Sequence, residues 1–213
     1  GSAEQKIFAI AEGNEQKGFT HIRELLVSTY EHLHSLQTNR EEMMGTPTGF
    51  GDLDHVLVGM GKSDLILIGA RPGVGKTSFA LNIATNVART TKKAVCVFSL
   101  EMVSRMLSSE ALVDSHNIRS GELSDDDWTK LAHASASLSE CDIYIDDTTG
   151  ITATGMKAKL RRVKNLGLVV IDYLQLMQSD RRIDNRVQEV ADISRNLKIL
   201  AKELDVPLIC CAQ

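Results

Sequence analysis

Ala70-Arg71-Pro72-Gly73-Val74-Gly75-Lys76-Thr77 is the stretch that decides the fold of this chain. It follows a short apolar run, Leu65–Ile68, and leads into a helical pattern from Lys76 to Ala88. A strand, a glycine-rich turn and a helix in that order form a phosphate-binding loop. Gly73 and Gly75 let the backbone turn so that its N–H groups face an anion, and the helix presents its positive end to the same place. Lys76 is spaced to reach the terminal phosphates of a nucleotide, and the Thr77 hydroxyl to take a ligand position on Mg²⁺. Ala70 stands where the pattern begins with glycine, a small-residue variant, and Ser78 extends the loop into the helix. A chance glycine-rich turn would not require both the strand before it and the helix after it.

Outward from the loop, short apolar runs alternate with helical patterns. The runs are Leu65–Ile68, Ala94–Phe98, Ile143–Ile145, Leu168–Ile171 and Pro207–Ala212. Each is too short for a helix and rich in Val, Ile and Leu, as expected of strands buried on both faces. Helices are expected over 76–88, 104–113, 125–138, 156–163 and 187–204, with Ser124 and Asp127 forming a capping box for the third. The alternation predicts an α/β domain with a mostly parallel sheet flanked by helices.

A nucleotide site of this kind needs a carboxylate for the metal and another for the attacking water. Leu168-Val169-Val170-Ile171-Asp172 ends an apolar run in an acid, at the carboxyl edge where open α/β sheets bind ligands, on a strand expected to neighbour that of the loop. Asp172 is therefore expected to hold Mg²⁺; a helix-capping Asp is the plainer reading. Glu101, just past Ala94–Phe98, is the expected base that orients or deprotonates water, against a solvated Glu at a helix start. Gln213 ends the run Pro207–Ala212 and is placed to sense the γ-phosphate.

The chain carries 24 Lys and Arg against 28 Asp and Glu, a net charge of −4, which argues against coating nucleic acid with the whole surface. A local basic loop is still compatible with that charge. Cys96, Cys141, Cys210 and Cys211 include no C-x-x-C pair and read as buried free thiols of a reducing compartment, the cytoplasm. The six histidines show no metal-ligand spacing. Gly1-Ser2 reads as a cloning remnant. Residues 3–12 form a short amphipathic helix that must dock on something, and GNEQKGF breaks it. A second helix from about Thr20 places Ile22, Leu25, Leu26, Tyr30, Leu33 and Leu36 on one stripe. The glycines and proline between Gly45 and Gly51 read as a loop. No apolar run is long enough for a membrane span.

Taken in order, Phe98–Met102 (FSLEM), Ile171–Met177 (IDYLQLM), Arg186–Val190 and the ending PLICCAQ resemble the motifs of the bacterial replicative DNA helicase (DnaB) family, as do Thr46–Leu53 and AEQKIFAIAE. The resemblance spans essentially the whole chain and is far more specific than the phosphate loop, which many families share. It implies a RecA-like P-loop ATPase core over 18–213, preceded by a linker helix and connector over 3–17 that docks on an adjacent subunit. It further implies ATP and Mg²⁺, a homohexamer around single-stranded DNA moving 5′ to 3′, and primase and a helicase loader as partners. Gln178–Arg186 lies where the family's first DNA-binding loop would be, so Arg181, Arg182 and Arg186 are expected phosphate contacts, or else members of a solvated charged loop. The family continues past the position of Gln213, so its arginine finger is expected beyond this sequence. The stretch after Met102 is a few residues shorter than is usual there.

Three rival readings remain. A recombinase or clock-type ATPase would share the fold without unwinding DNA, and the fold alone does not decide. A GTP switch is suggested by Asp147-Thr148-Thr149-Gly150, although no N-K-x-D motif accompanies it. A scaffold would use nucleotide only to assemble.

Overall fold

The computed structural model describes residues 21–38, 45–71, 73–99, 102–172, 174, 177–181, 183 and 185–212. The expected linker helix and connector over 3–17 lie outside them. By its contacts the chain divides into two units, Gly1–Met44 and Gly45–Gln213. Within the first, helix α1 spans Ile22–Thr38. Its apolar stripe forms a helix as the spacing predicts, and Ile22, Leu25, Leu26, Tyr30 and Leu33 are all solvent-exposed.

The second unit is a layered α/β domain. Among the described residues its five strands are β1 (Leu65–Gly69), β2 (Ala94–Phe98), β3 (Ile143–Asp146), β4 (Leu166–Asp172) and β5 (Leu208–Ala212). They lie in the order β1-β5-β4-β2-β3, and every pairing is parallel. The helices are α2 (Gly51–Leu57), α3 (Lys76–Thr91), α4 (Val103–Ala111), α5 (Ser115–Ser120), α6 (Asp125–Ser139), α7 (Ala153–Leu160) and α8 (Arg186–Leu204).

Burial on both faces holds for the central strands β2, β4 and β5. It fails for β1 and β3. These are the outer strands of this sheet, and Leu67 and Tyr144 are more than half exposed. Two cores sandwich the sheet. On one face Ala80, Leu81, Ala84 and Val87 of α3 pack on Val95, Val97, Leu168, Val170 and Ile209. On the other, Met156 and Leu160 of α7 and Ile193, Leu197 and Leu200 of α8 pack on Val169, Ile171, Leu208 and Cys210. Alternate residues of β4 thus serve opposite cores, which is the two-residue period of a strand expressed in packing.

Element ends depart from the sequence reading where local chemistry sets them. The expected capping box forms: the Ser124 hydroxyl accepts from the Asp127 N–H, and the Asp127 carboxylate accepts from the Ser124 N–H at 3.0 Å. α7 starts at Ala153 because the Thr152 hydroxyl accepts from the Gly155 N–H. α4 stops at Ala111, where Leu112 turns left-handed with φ 54°. Two helices were not expected, α2 and α5. Both are too short to show a hydrophobic period, and neither has a buried residue.

Candidate nucleotide site

Gly75 caps α3 with φ 93° and Gly73 has φ 80°. Both conformations strain any residue with a side chain. A Cβ built at either would meet nothing within 4 Å, so the space over this turn is open to an approaching group. Pro72 lies outside the described residues. Arg71, Gly73 and Val74 are exposed, Ala70 is half-buried, and Ser78 is exposed on the first turn of α3.

A brace behind the loop fixes α3. Asp54 accepts from the Thr48 N–H at 2.6 Å, the Thr48 hydroxyl at 2.7 Å and the Gly49 N–H at 3.0 Å. The Asn86 side-chain amide then donates to the Thr48 carbonyl at 3.1 Å, and the Phe50 and Phe79 rings lie 5.0 Å apart. The lead-in Thr46–Leu53 is therefore tied to the helix that carries the loop.

Lys76 is buried, and its ammonium donates to the Ala212 carbonyl at 3.1 Å, at the carboxyl end of β5. The Thr77 hydroxyl donates to Asp172 Oδ2 at 2.9 Å, across 95 residues of sequence. Asp172 is only 7% exposed, and its other oxygen, Oδ1, is buried without a hydrogen-bond partner. A buried carboxylate oxygen lacking a partner is costly and points to a group that completes it. A hard divalent cation fits: it takes oxygen ligands, and Mg²⁺ typically uses one or two protein oxygens plus phosphate and water. No cluster of three His, Cys, Asp or Glu able to hold a metal by itself occurs among the described residues.

The strand carrying Asp172 does not neighbour the loop strand. β5 lies between β1 and β4, which corrects the expected adjacency. Asp172 reaches Thr77 because α3 crosses the sheet over β4 and β5, so its first turn overhangs their carboxyl ends. Charge at this edge is felt locally. Burial, followed by the Asp172 carboxylate, pushes the Cys210 and Cys211 thiols up to about 12, with Lys76 opposing. Burial also raises Cys96 to about 11. Cys141 is the half-buried one of the four.

Glu101 and Gln213 lie outside the described residues. Their flanks fall at the same sheet edge: Ser99 and Met102 are buried beyond the end of β2, and Ala212 accepts from Lys76. Of the basic trio, Arg182 lies outside the described residues and Arg181 is exposed. Arg186 opens α8 as its first residue and pairs with Glu189 at 2.7 Å, holding that carboxyl below its ordinary range. The Asp147–Gly150 segment turns out of β3, at the far end of the sheet from β1. That position separates it from the phosphate loop and removes the geometric basis for a GTP switch.

The sequence profile of the DnaB-like helicase C-terminal domain matches residues 45–213. The chain belongs to that family. The match coincides with the second structural unit, which carries the sheet and the loop. Replicative DNA helicase DnaC of Bacillus subtilis (strain 168) is 47% identical over 220 residues, covering 99% of this chain and 48% of that protein. Replicative DNA helicase DnaB of Geobacillus stearothermophilus is 48% identical over 220 residues, with the same coverage of each. The chain thus spans about half the length of the curated relatives it matches. A solved DnaB-like replicative helicase, described with its interactions with primase, superposes with a TM-score of 0.81 at 31% identity, covering 99% of this chain and 52% of that one. The RecA-like expectation for the fold agrees with this DnaB-like neighbour. Among the described residues no helix is long and apolar enough to cross a membrane.

Proposed function

We propose that this chain is the ATP-hydrolysing motor of a replicative DNA helicase. The observation that carries the reading is the meeting of Lys76, Thr77 and the incompletely satisfied Asp172 under an open glycine turn, in a DnaB-like helicase domain. In this reading the backbone from Ala70 to Ser78 cradles the phosphates, and Lys76 exchanges its contact with the Ala212 carbonyl for the β- and γ-phosphate oxygens. Thr77 and Asp172 hold Mg²⁺, which when bound offsets the negative charge developing on the transferred phosphoryl group. Glu101 orients the attacking water. Gln213 reports the state of the γ-phosphate toward Arg181, Arg182 and Arg186, which contact the phosphates of single-stranded DNA.

The full protein, by the same reading, works in the cytoplasm as a homohexamer translocating 5′ to 3′, with primase and a helicase loader as partners. The test is ATP-driven separation of a forked DNA bearing a 5′ tail by the full-length protein, with Lys76→Ala and Glu101→Gln as controls. Lys76→Ala is expected to lose ATP affinity, and Glu101→Gln to bind ATP without turnover. Assembly and nucleotide binding without strand separation would replace the helicase with a recombinase-type ATPase or a nucleotide-gated scaffold.

A further inference from the structure

A polar cavity opens off the same helix that carries the phosphate loop. α4 lies along α3, joined by Arg89 to Glu110 at 2.5 Å and by the Ser109 hydroxyl donating to Asn82 at 2.9 Å. Where these helices meet α5 there is a cavity of about 300 Å³, at the small end of the range for ligand sites. Arg105 and Arg119 line it, and among the described residues no carboxylate does. A chain of net charge −4 thus lines one cavity with two guanidinium groups, one from α4 and one from α5.

Five serines complete the lining. The hydroxyls of Ser108 and Ser109 are engaged, donating to the Val113 carbonyl and to Asn82. Those of Ser78, Ser104 and Ser115 have no hydrogen-bond partner among the described residues. The cavity therefore presents the Arg119 guanidinium fork and uncommitted hydroxyl donors together, with Arg105, which has a partner of its own, beside them. That donor set suits a phosphoryl group, whose three oxygens accept several hydrogen bonds at once, better than a carboxylate with two.

We propose that this cavity is a phosphoryl-binding site distinct from the phosphate loop. Ser78, which lines it, directly follows Thr77. The occupant is a free phosphate or pyrophosphate, separate from any nucleotide seated on the loop. The site goes beyond the motor reading and survives without it.

Calorimetric titration of the whole chain with inorganic pyrophosphate, with and without saturating MgATP, tests the proposal. The variants are Arg119→Ala combined with Ser115→Ala, Arg119→Lys, and Lys76→Ala. Ser115 and Arg119 sit on α5, which has no buried residue, so these changes leave the core intact. Pyrophosphate is expected to bind wild type and Lys76→Ala at the cavity, and the double variant about tenfold more weakly or not at all. Arg119→Lys should recover part of the loss, since it keeps the charge without the fork.

Arg119-dependent pyrophosphate binding is expected to persist in saturating MgATP; its abolition by MgATP would merge the cavity with the nucleotide site and overturn the proposal. Wild type that binds pyrophosphate through Arg119 but does not bind ATP would refute the motor reading and leave this one standing. Equal pyrophosphate binding by wild type and the double variant overturns the proposal. So does an Arg119-dependent site that takes single-stranded oligonucleotide but not pyrophosphate.

Discussion

Asp172→Asn isolates the role of one buried oxygen. The substitution keeps side-chain shape and leaves a carbonyl oxygen to accept from the Thr77 hydroxyl, now 2.9 Å from Oδ2. What it removes is the charge on a carboxylate whose Oδ1 has no partner and whose residue is 7% exposed. A buried polar atom without a partner costs about 1–3 kcal/mol, and more when charged. If Mg²⁺ and its waters satisfy that oxygen, the same free energy is recovered when the metal nucleotide binds. At about 1.4 kcal/mol per tenfold, Mg²⁺ should tighten ATP binding through this group by about fivefold to over a hundredfold. Calorimetric titration of ATP in Mg²⁺ and in EDTA would measure the ratio for wild type and variant, and the ratio should fall by that factor in the variant. Thermal denaturation gives an independent reading through the extra stabilisation that a tightly bound ligand confers on the folded state. In a domain of this size, each 1 kcal/mol of it moves Tm by about 2–4 °C. An Asp172→Asn variant that retains the wild-type Mg²⁺ ratio would refute the assignment of Asp172 to the metal.

Replacing Arg181, Arg182 and Arg186 together with Ala should weaken single-stranded DNA binding and lower the slope of log affinity against log salt by up to about 2, one share per lost contact; an unchanged slope in anisotropy titrations would remove these residues from the DNA path. Burial pushes the Asp146 carboxyl up, but hydrogen bonds from Lys159 at 2.6 Å and from Thr148 outweigh it and leave the group below its ordinary value of 3.8. The stability this group contributes is therefore complete above that value and is lost as pH falls through the lower, folded one. Asp146→Asn should narrow its gap to wild type in acid melts, and a gap independent of pH would contradict the argument. Native-state alkylation at neutral pH should modify Cys141 first. Cys96, near 11, and Cys210 and Cys211, near 12, stay protonated and buried, and mass spectrometry showing any of these three labelled first would be inconsistent with their burial.

The phosphate loop, the alternating order of elements and the parallel sheet were legible because each is written in contiguous residues. Gly73 and Gly75 mark a backbone that must turn left-handed, and runs such as Ala94–Phe98 mark strands with no polar face. The family was equally legible, in stretches such as FSLEM and IDYLQLM that need no folding to be read. Tertiary structure decided the rest, because the remaining features join residues distant in sequence. The order β1-β5-β4-β2-β3 placed β5 between the loop and Asp172, and left Leu67 and Tyr144 exposed on outer strands whose composition matches that of central ones. No spacing rule pairs Thr77 with a carboxylate 95 residues away or shows that its second oxygen lacks a partner. Nor could the serines of α4 and α5 be told from ordinary helix-surface residues until α3 brought Ser78 beside them. Sequence specifies which groups exist and which local conformations they favour; only the crossing of α3 over the sheet determines which of them meet.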